Sequence, residues 1–341
     1  MKYKVLSVST ESEVNIGDYV QGLASAQFLP SIDGFIEREQ LKQYTSEDCC
    51  MIMNGWYMHH PQNWPPSDKI RPLFVAFHIN SLAKNMLLSK ESVTYLKKYE
   101  PIGCRDLYTV SLLKERGIDA YFSGCMTLTL GLKYHTNVRE DKCYIVDPYF
   151  HTNWSIGKLI SKLFYLIVNY KSINKIAQKH PLKDNYLKKR LKLSVFYKEY
   201  LKVFTKDTLV NAEYICQQNT AYKDSFKTEE EKLREAERLI KLYAKAKLVI
   251  TSRIHCALPC LGLETPVIYI ENAQDIEASS CRLNGLKELF TIIQWKDNHL
   301  KVPTNHLKKY SINNQPANKD LWRPLAQQLI NRCKEFIQTT I

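Results

Sequence analysis

Three short segments combine residue types that could do chemistry on a small anion. The first is Thr251-Ser252-Arg253-Ile254-His255, which follows an apolar run and precedes a helical one. In a parallel α/β sheet, ligands bind beyond the carboxyl ends of the strands, where the next helix begins. Exposed amides and the positive helix end favour an anion there, and Arg253 adds a planar fork suited to phosphate or carboxylate. His255 stands two residues on, where an imidazole could give or take a proton near neutral pH. The second segment is Arg105-Asp106, at the end of another short apolar run. By the same logic Arg105 faces the ligand and Asp106 caps the following helix, although the two could simply pair with each other. The third is Asn15-Ile16-Gly17-Asp18. Gly17 would let the backbone approach a ligand closely, and Asn15 or Asp18 could cap a helix or hold a sugar hydroxyl.

These segments need strand ends and helix starts to carry them, and the chain supplies both in alternation. Tyr3 to Val8 reads as a strand, followed by a polar loop and a helix from about Tyr19 to Phe28. Cys50 to Asn54, Leu73 to Phe77 and Pro101 to Cys104 read as buried strands, Ser111 to Arg116 as a helix closing at Gly117, and Ala120 to Ser123 as a strand. A second series opens at Cys143 with CYIVD and continues through a basic helical region that Pro181 divides in two. Leu209 to Ile215 is a weaker strand candidate. Thr228 with Glu231 forms a capping box ahead of an apolar stripe of Leu233, Ala236, Leu239, Ile240, Tyr243 and Ala246. Lys247 to Ile270 then packs a strand, a short helix ending at Gly262 and another strand into one βαβ unit. The expected fold is α/β, with two Rossmann-like lobes around a cleft. The boundaries are 1–142 and 143–317, the second lobe carries a basic helical insertion at 156–203, and a C-terminal helix at about 318–341 is free to pack back on the first.

At 341 residues and 45% hydrophobic content the chain can bury the cores that two such lobes need. The start, MKYKVLSV, falls short of the apolar stretch of an export signal. The run Leu163 to Val168 is far below the roughly 20 residues that span a bilayer. Ten cysteines occur without a C-x-x-C or zinc-like spacing, so buried, reduced thiols, no metal and a cytoplasmic location are expected. Of the formal charge of +13, most lies between Ile156 and Val203, where 12 Lys or Arg face only Asp184 and Glu199. No base-stacking or groove-reading motif accompanies this charge, so nucleic acid is not an expected partner. The segment reads either as a solvated helical face or as a surface lying on anionic lipid, since Leu159, Leu163, Leu166, Ile167 and Tyr170 recur among the lysines at helical spacing.

Together the N-x-G-D turn, the R-D pair and the S-R-x-H-x-x-x-P-x-x-G-x-x-x-P-x-I stretch from Ser252 to Ile268 resemble the polysaccharide pyruvyl transferase family. The resemblance runs from Val5 through Ile270 to Arg282-Leu283-Asn284-Gly285-Leu286. It implies a GT-B-like arrangement, phosphoenolpyruvate as donor substrate and no further cofactor. It also implies roles: Arg253 with Ser252 and Arg105 on the donor, His255 in catalysis, and Asn15, Gly17, Asp18 and Asn54 on the acceptor side or structural, Asp18 being in addition the candidate hydroxyl base of the mechanism below. Two stretches depart from the family. Asn54-Gly55-Trp56 stands where many members have a glycine-rich turn, and Ser123-Gly124-Cys125-Met126-Thr127 stands where many carry Asp-Pro.

In the mechanism this suggests, two arginines hold phosphate and carboxylate while an imidazolium at His255 protonates the donor or helps phosphate leave. The acceptor is expected to be a sugar, carried on a lipid at the inner face of the cytoplasmic membrane. The competing readings are a GT-B glycosyltransferase using a nucleotide sugar, with Arg253 on the diphosphate, and a non-catalytic sugar- or lipid-binding protein of the same fold.

Overall fold

Strands covered on both faces need nearly unbroken apolar runs, and the two series of such runs build two separate sheets. The structure is a computed structural model that describes residues 1–8, 14–152, 156–219, 225–274, 281–302 and 308–340. The polar loop at 9–13 lies outside the described residues. The first sheet has the order β1-β5-β6-β7-β8: Lys2–Tyr3 (β1), Cys49–Tyr57 (β5), Ile70–Ile79 (β6), Ile102–Cys104 (β7) and Ala120–Phe122 (β8), all parallel. The second has the order β10-β9-β12-β13-β14-β15: Glu213–Ile215 (β10), Glu140–Val146 (β9), Ala246–Thr251 (β12), Val267–Asn272 (β13) and Thr291–Lys296 (β14) are parallel, and His299–Leu300 (β15) closes the edge antiparallel. Two small pairs complete the set: Val5–Ser7 (β2) with Phe35–Glu37 (β4), and Val14–Asn15 (β3) with Gln218–Asn219 (β11). The single strand expected over Tyr3 to Val8 is therefore two. Lys4 bonds to Cys50 O in the first sheet, Val5 bonds to Gly34 O, and the chain changes partner between them.

Helices fill the connections: Ile16–Ala26 (α1), Lys84–Leu87 (α2), Lys90–Lys97 (α3), Leu107–Lys114 (α4), Gly131–Tyr134 (α5), Ile156–Val168 (α6), Tyr170–Lys179 (α7), Tyr186–Tyr200 (α8), Lys206–Asn211 (α9), Glu229–Lys245 (α10), Ile254–Gly262 (α11) and Trp322–Gln338 (α12). Capping sets their starts. Asn15 Oδ1 accepts from Gly17 N at 3.0 Å and starts α1 three residues ahead of the apolar pattern. Asp106 accepts from Thr109 N at 2.9 Å and starts α4 before Ser111. Gly117 takes the left-handed φ of +66° just beyond α4, and Thr228 with Glu231 makes the capping box of α10. The basic insertion is three helices rather than two, broken at Asn169 as well as before Pro181. Of the stripe read in the sequence, Leu159, Leu163 and Leu166 turn inward onto the cluster that holds Phe196 and Tyr197 of α8, while Ile167 and Tyr170 stay exposed. Leu209 belongs to α9 because Thr205 caps a helix there, and the strand begins only at Glu213.

One apolar layer lies between the two sheets. It joins Val20 and Leu23 of α1, Ala236, Leu239 and Tyr243 of α10, Leu258 of α11 and Leu329 of α12. Each such fully buried Leu is worth about 1.5–3 kcal/mol of transfer free energy, so this layer fastens the lobes together. Gly262 matters here for a reason other than helix termination. A Cβ at Gly262 would sit 2.3 Å from Leu128 O, so the bare backbone admits the chain from the other lobe. The left-handed residue after α11 is Glu264, at φ +57°. The helix α12 crosses back to the first lobe, where Ile337 joins Tyr3 and Cys50.

Candidate anion site between the two sheets

Parallel register decides which side chains meet, because the residue just past each strand end stands beside its counterpart on the neighbouring strand. In the second sheet Val146 pairs with Thr251, so Asp147 emerges next to Ser252 and Arg253. In the first sheet Phe77 pairs with Cys104, so His78 emerges next to Arg105 and Asp106. These two edges face each other across a cavity of about 220 Å3 lined by Asn15, Gly17, Asp18, Trp56, His78, Asn80, Arg105, Gln217, Gln218, Ser252, Arg253, Ile254, His255 and Arg282. The pair β3 and β11 pins the lobes together at its rim, with Ile16 N donating to Gln217 O at 2.9 Å.

The cavity has a basic wall. Arg105 is 2% exposed, and its Nε finds no hydrogen-bond partner among the described residues, the nearest carboxylate oxygen being Asp106 Oδ2 at 3.8 Å. Arg253 is aimed by two partners, donating from Nε to Asp147 Oδ2 at 3.0 Å and from Nη1 to Gln218 Oε1 at 2.6 Å. Asp147 holds this place with a left-handed φ of +42°, a conformation tolerated by Asp at some cost. Ser252 Oγ accepts from Tyr149 N at 2.7 Å. The helix α11 opens at this point with no side chain capping its first amides, which leaves its positive end toward the cavity.

Two imidazoles complete the lining. Burial first, then the charges of Arg105, Arg282 and Arg253, hold the pKa of His255 well below its ordinary value. The side chain is therefore neutral at pH 7, whereas the sequence reading cast it as an imidazolium. His255 Nε2 is buried without a partner among the described residues, and Nδ1 lies 4.0 Å from Asp18 Oδ1. Burial raises the pKa of Asp18 against the pull of Arg38 and Arg105. Its carboxylate accepts from Asn15 Nδ2 at 3.1 Å and Gln21 Nε2 at 3.2 Å. Gly17 fits this corner closely, since a Cβ there would stand 3.2 Å from the Cβ of His255. His78 Nδ1 lies 2.6 Å from Asp106 Oδ2, and burial with the charge of Arg105 lowers its pKa to about 4. Asp106 stays ionised, its pKa lowered by His78 and Arg105 in spite of burial. His78 is thus a neutral ring whose Nδ1 lies against the Asp106 carboxylate and the Thr109 hydroxyl, with Nε2 left for a ligand.

Of the residues singled out in the sequence, Asn15, Gly17, Asp18, Arg105, Ser252, Arg253 and His255 line one cavity. Asn54 does not. It is 2% exposed and donates to Gln21 O at 3.0 Å, which ties α1 to β5. The neighbouring Gly55 is a bulge within β5 at φ +107° rather than part of a turn. His78, Asp147, Gln218 and Arg282 were missed as site residues. His78 and Asp147 stand at strand ends, and that position was the available signal. Arg282 carried no local signal. Its loop is brought over by Leu107 N donating to Asn284 O at 3.0 Å, across the lobes.

Two α/β sheets, parallel but for one edge strand, meet at their strand ends over a cavity lined by guanidinium and imidazole groups. The family model for polysaccharide pyruvyl transferase matches residues 15–274, and the chain belongs to that family. The family marks it as a transferase. Against curated proteins the sequence gives no match. Among solved structures, a functionally uncharacterised protein from Klebsiella pneumoniae is similar at 13% identity and a TM-score of 0.41, over 86% of this chain and 93% of that one. The E. coli heptosyltransferase WaaC with ADP is similar at 11% identity and a TM-score of 0.32, over 98% of this chain and 100% of that one. No helix among the described residues is long and apolar enough to cross a membrane.

Proposed function

We propose that this protein transfers the pyruvyl group of phosphoenolpyruvate to two hydroxyls of a sugar in a cell-surface polysaccharide precursor, forming a cyclic ketal. The observation that carries this reading is the convergence of Arg105, Arg253 and Arg282 with two neutral imidazoles on one cavity of about 220 Å3. That volume is below the roughly 300–1,000 Å3 of pockets for drug-sized ligands and suits a compact trianion. Guanidinium forks bind phosphate and carboxylate in two-point fashion and neutralise charge that would repel an incoming hydroxyl.

In the reaction the methylene carbon gains a proton, one sugar hydroxyl adds to the central carbon, and the second displaces phosphate. Of the two protons released by the hydroxyls, one balances the new methyl group and the other leaves with inorganic phosphate. Burial and the positive field of the arginines hold His255 neutral; donor binding would offset the field, letting the ring take up a proton and act as the acid for the methylene carbon. Asp18 lies beside Nδ1 and already accepts two amide donors. It orients the ring, and the sequence expectation of a hydroxyl base passes to His78, backed by Asp106. Asn15 and Gly17 act through Asp18 and α1.

The acceptor fits a second cavity of about 750 Å3 that shares Gln218, Ser252, Arg253 and Arg282 with the first and adds Tyr149, Phe150 and Tyr269. Aromatic faces of this kind stack on sugars. A lipid-linked sugar suits its wall, because the His180 to Lys183 loop of the basic insertion forms part of it. The test is to supply lipid-linked oligosaccharide with phosphoenolpyruvate or with nucleotide sugars. Phosphate release together with the mass of an added pyruvyl ketal is expected. Release of nucleotide from a nucleotide sugar, with phosphoenolpyruvate left intact, would overturn the reading in favour of a glycosyltransferase.

A further inference from the structure

The helix α6 is apolar on two sides. Its inward side, with Leu166 buried, packs on α8. Its outward side carries Ile160, Phe164, Ile167 and Val168 at 66, 71, 72 and 65% exposure. A surface helix normally shows water its polar face, and four large apolar side chains this exposed on one short helix mark an interaction surface. The ridge continues past the break at Asn169 to Tyr170, whose hydroxyl lies 2.7 Å from that of Tyr186 at the start of α8. Beside it on α7, Lys171 and Lys175 are exposed and make no ion pair among the described residues.

We infer that this ridge docks the protein on an anionic lipid surface, with Phe164 and Ile167 entering the interfacial region and Lys171 and Lys175 meeting lipid headgroups. Charge complementarity selects the occupant. An apolar ridge flanked by tyrosines and unpaired lysines, in a segment with 12 cations against two carboxylates, matches the layered chemistry of a negatively charged bilayer surface. The same segment would repel a second copy of itself. Ile167 and Tyr170 belong to the stripe read in the sequence, whose leucines are taken up by the cluster around α8, and Ile160, Phe164 and Val168 join them on the exposed side. The ridge also adjoins the second cavity through one short loop, since Pro181 to Lys183 line that cavity and Tyr186 and Leu187 surface beside the ridge. Docking there would bring a membrane-borne sugar to the cavity wall. The docking itself does not depend on the reaction assigned above.

The full chain is mixed with vesicles of phosphatidylcholine alone or with added phosphatidylglycerol, and bound protein is separated by flotation. Binding to the anionic vesicles, weakened by salt, is expected. The Lys171→Glu/Lys175→Glu pair should lower the affinity about 25-fold or more, since each lysine near such a surface is worth about five-fold. Phe164→Ser should lower it about ten-fold through lost apolar burial. These side chains are exposed, so thermal unfolding should be unchanged. Phe164→Trp adds an independent readout, a blue-shifted emission that appears only with anionic vesicles. Equal binding by wild type and variants, no binding by wild type, or an emission from the Phe164→Trp protein that anionic vesicles leave unshifted would overturn the proposal. So would a dimer that dissociates on Phe164→Ser while vesicle binding persists.

Discussion

At the scale of single residues, His255 shows how a site sets the protonation of its own acid. Burial and, after it, three arginines keep the ring neutral, and those arginines are the groups a trianion would neutralise. Binding and proton uptake are therefore linked. The sign follows directly. The pKa of His255 is held low in the free protein and the proposed donor would raise it, so between the two values binding would take up a proton and affinity would fall as pH rises. Calorimetric titration with phosphoenolpyruvate across neutral pH should show a steeper loss of affinity for wild type than for His255→Gln, which keeps only the donor's own ionisation. Parallel profiles would remove His255 from the proton path. In His255→Ala, donor affinity should largely survive because Arg105, Arg253 and Arg282 remain, while turnover falls about 10²–10⁴-fold. Turnover near wild type would contradict the assignment.

At the scale of elements, the site depends on how closely backbones approach. The helix α11 presents Arg253 and His255 at one end, while along its length it lies against the segment from Leu128 to Gly131 of the other lobe. Gly262 admits that contact, and a methyl group there would collide with the Leu128 carbonyl at 2.3 Å. The colliding atom is backbone and has no rotamer by which to move aside. Gly262→Ala should therefore destabilise the protein by about 1–3 kcal/mol, as overpacking does. Because α11 must shift, it should also weaken donor binding by the unaltered Arg253. Denaturant unfolding and donor titration of the same variant check both parts. A neutral effect on stability would show that the lobes do not need this contact.

At the scale of the whole molecule, the cavity lies over a shared floor. The layer formed by α1, α10, α11 and α12 runs between the sheets, so neither lobe has a separate water-exposed inner face. Leu239→Ala, in the middle of that layer and fully buried, should cost about 2–5 kcal/mol. Circular dichroism and the fluorescence of tryptophans from both lobes, Trp56 and Trp64 in one and Trp295 in the other, should still report one coincident unfolding transition. Two separated transitions would mean that the lobes are independent units. The basic insertion stands apart from this floor, packs on the outer side of the second sheet, and leaves its apolar ridge to solvent.

The α/β alternation, the helix caps at Asp106 and Thr228, and the turns carrying Arg105, Arg253 and His255 were legible in the sequence, because propensity, capping and apolar period act within a few residues. Seven of the candidate residues line one cavity for the same reason, since each lies on or beside a strand-to-helix turn. Asn54 was misread because a buried amide in a strand is indistinguishable by type from one facing a ligand. Arg282 reached the site only through pairing across the lobes, and His78, though its strand-end position was a signal, only meets Arg105 and Asp106 through pairing across the sheet. Of the apolar stripe read in α6, the cluster around α8 covers Leu159, Leu163 and Leu166, while Ile167 stays exposed beside Phe164, which that stripe did not include. An apolar face is a property of the sequence, but which of two faces is covered depends on the neighbour that the tertiary fold supplies.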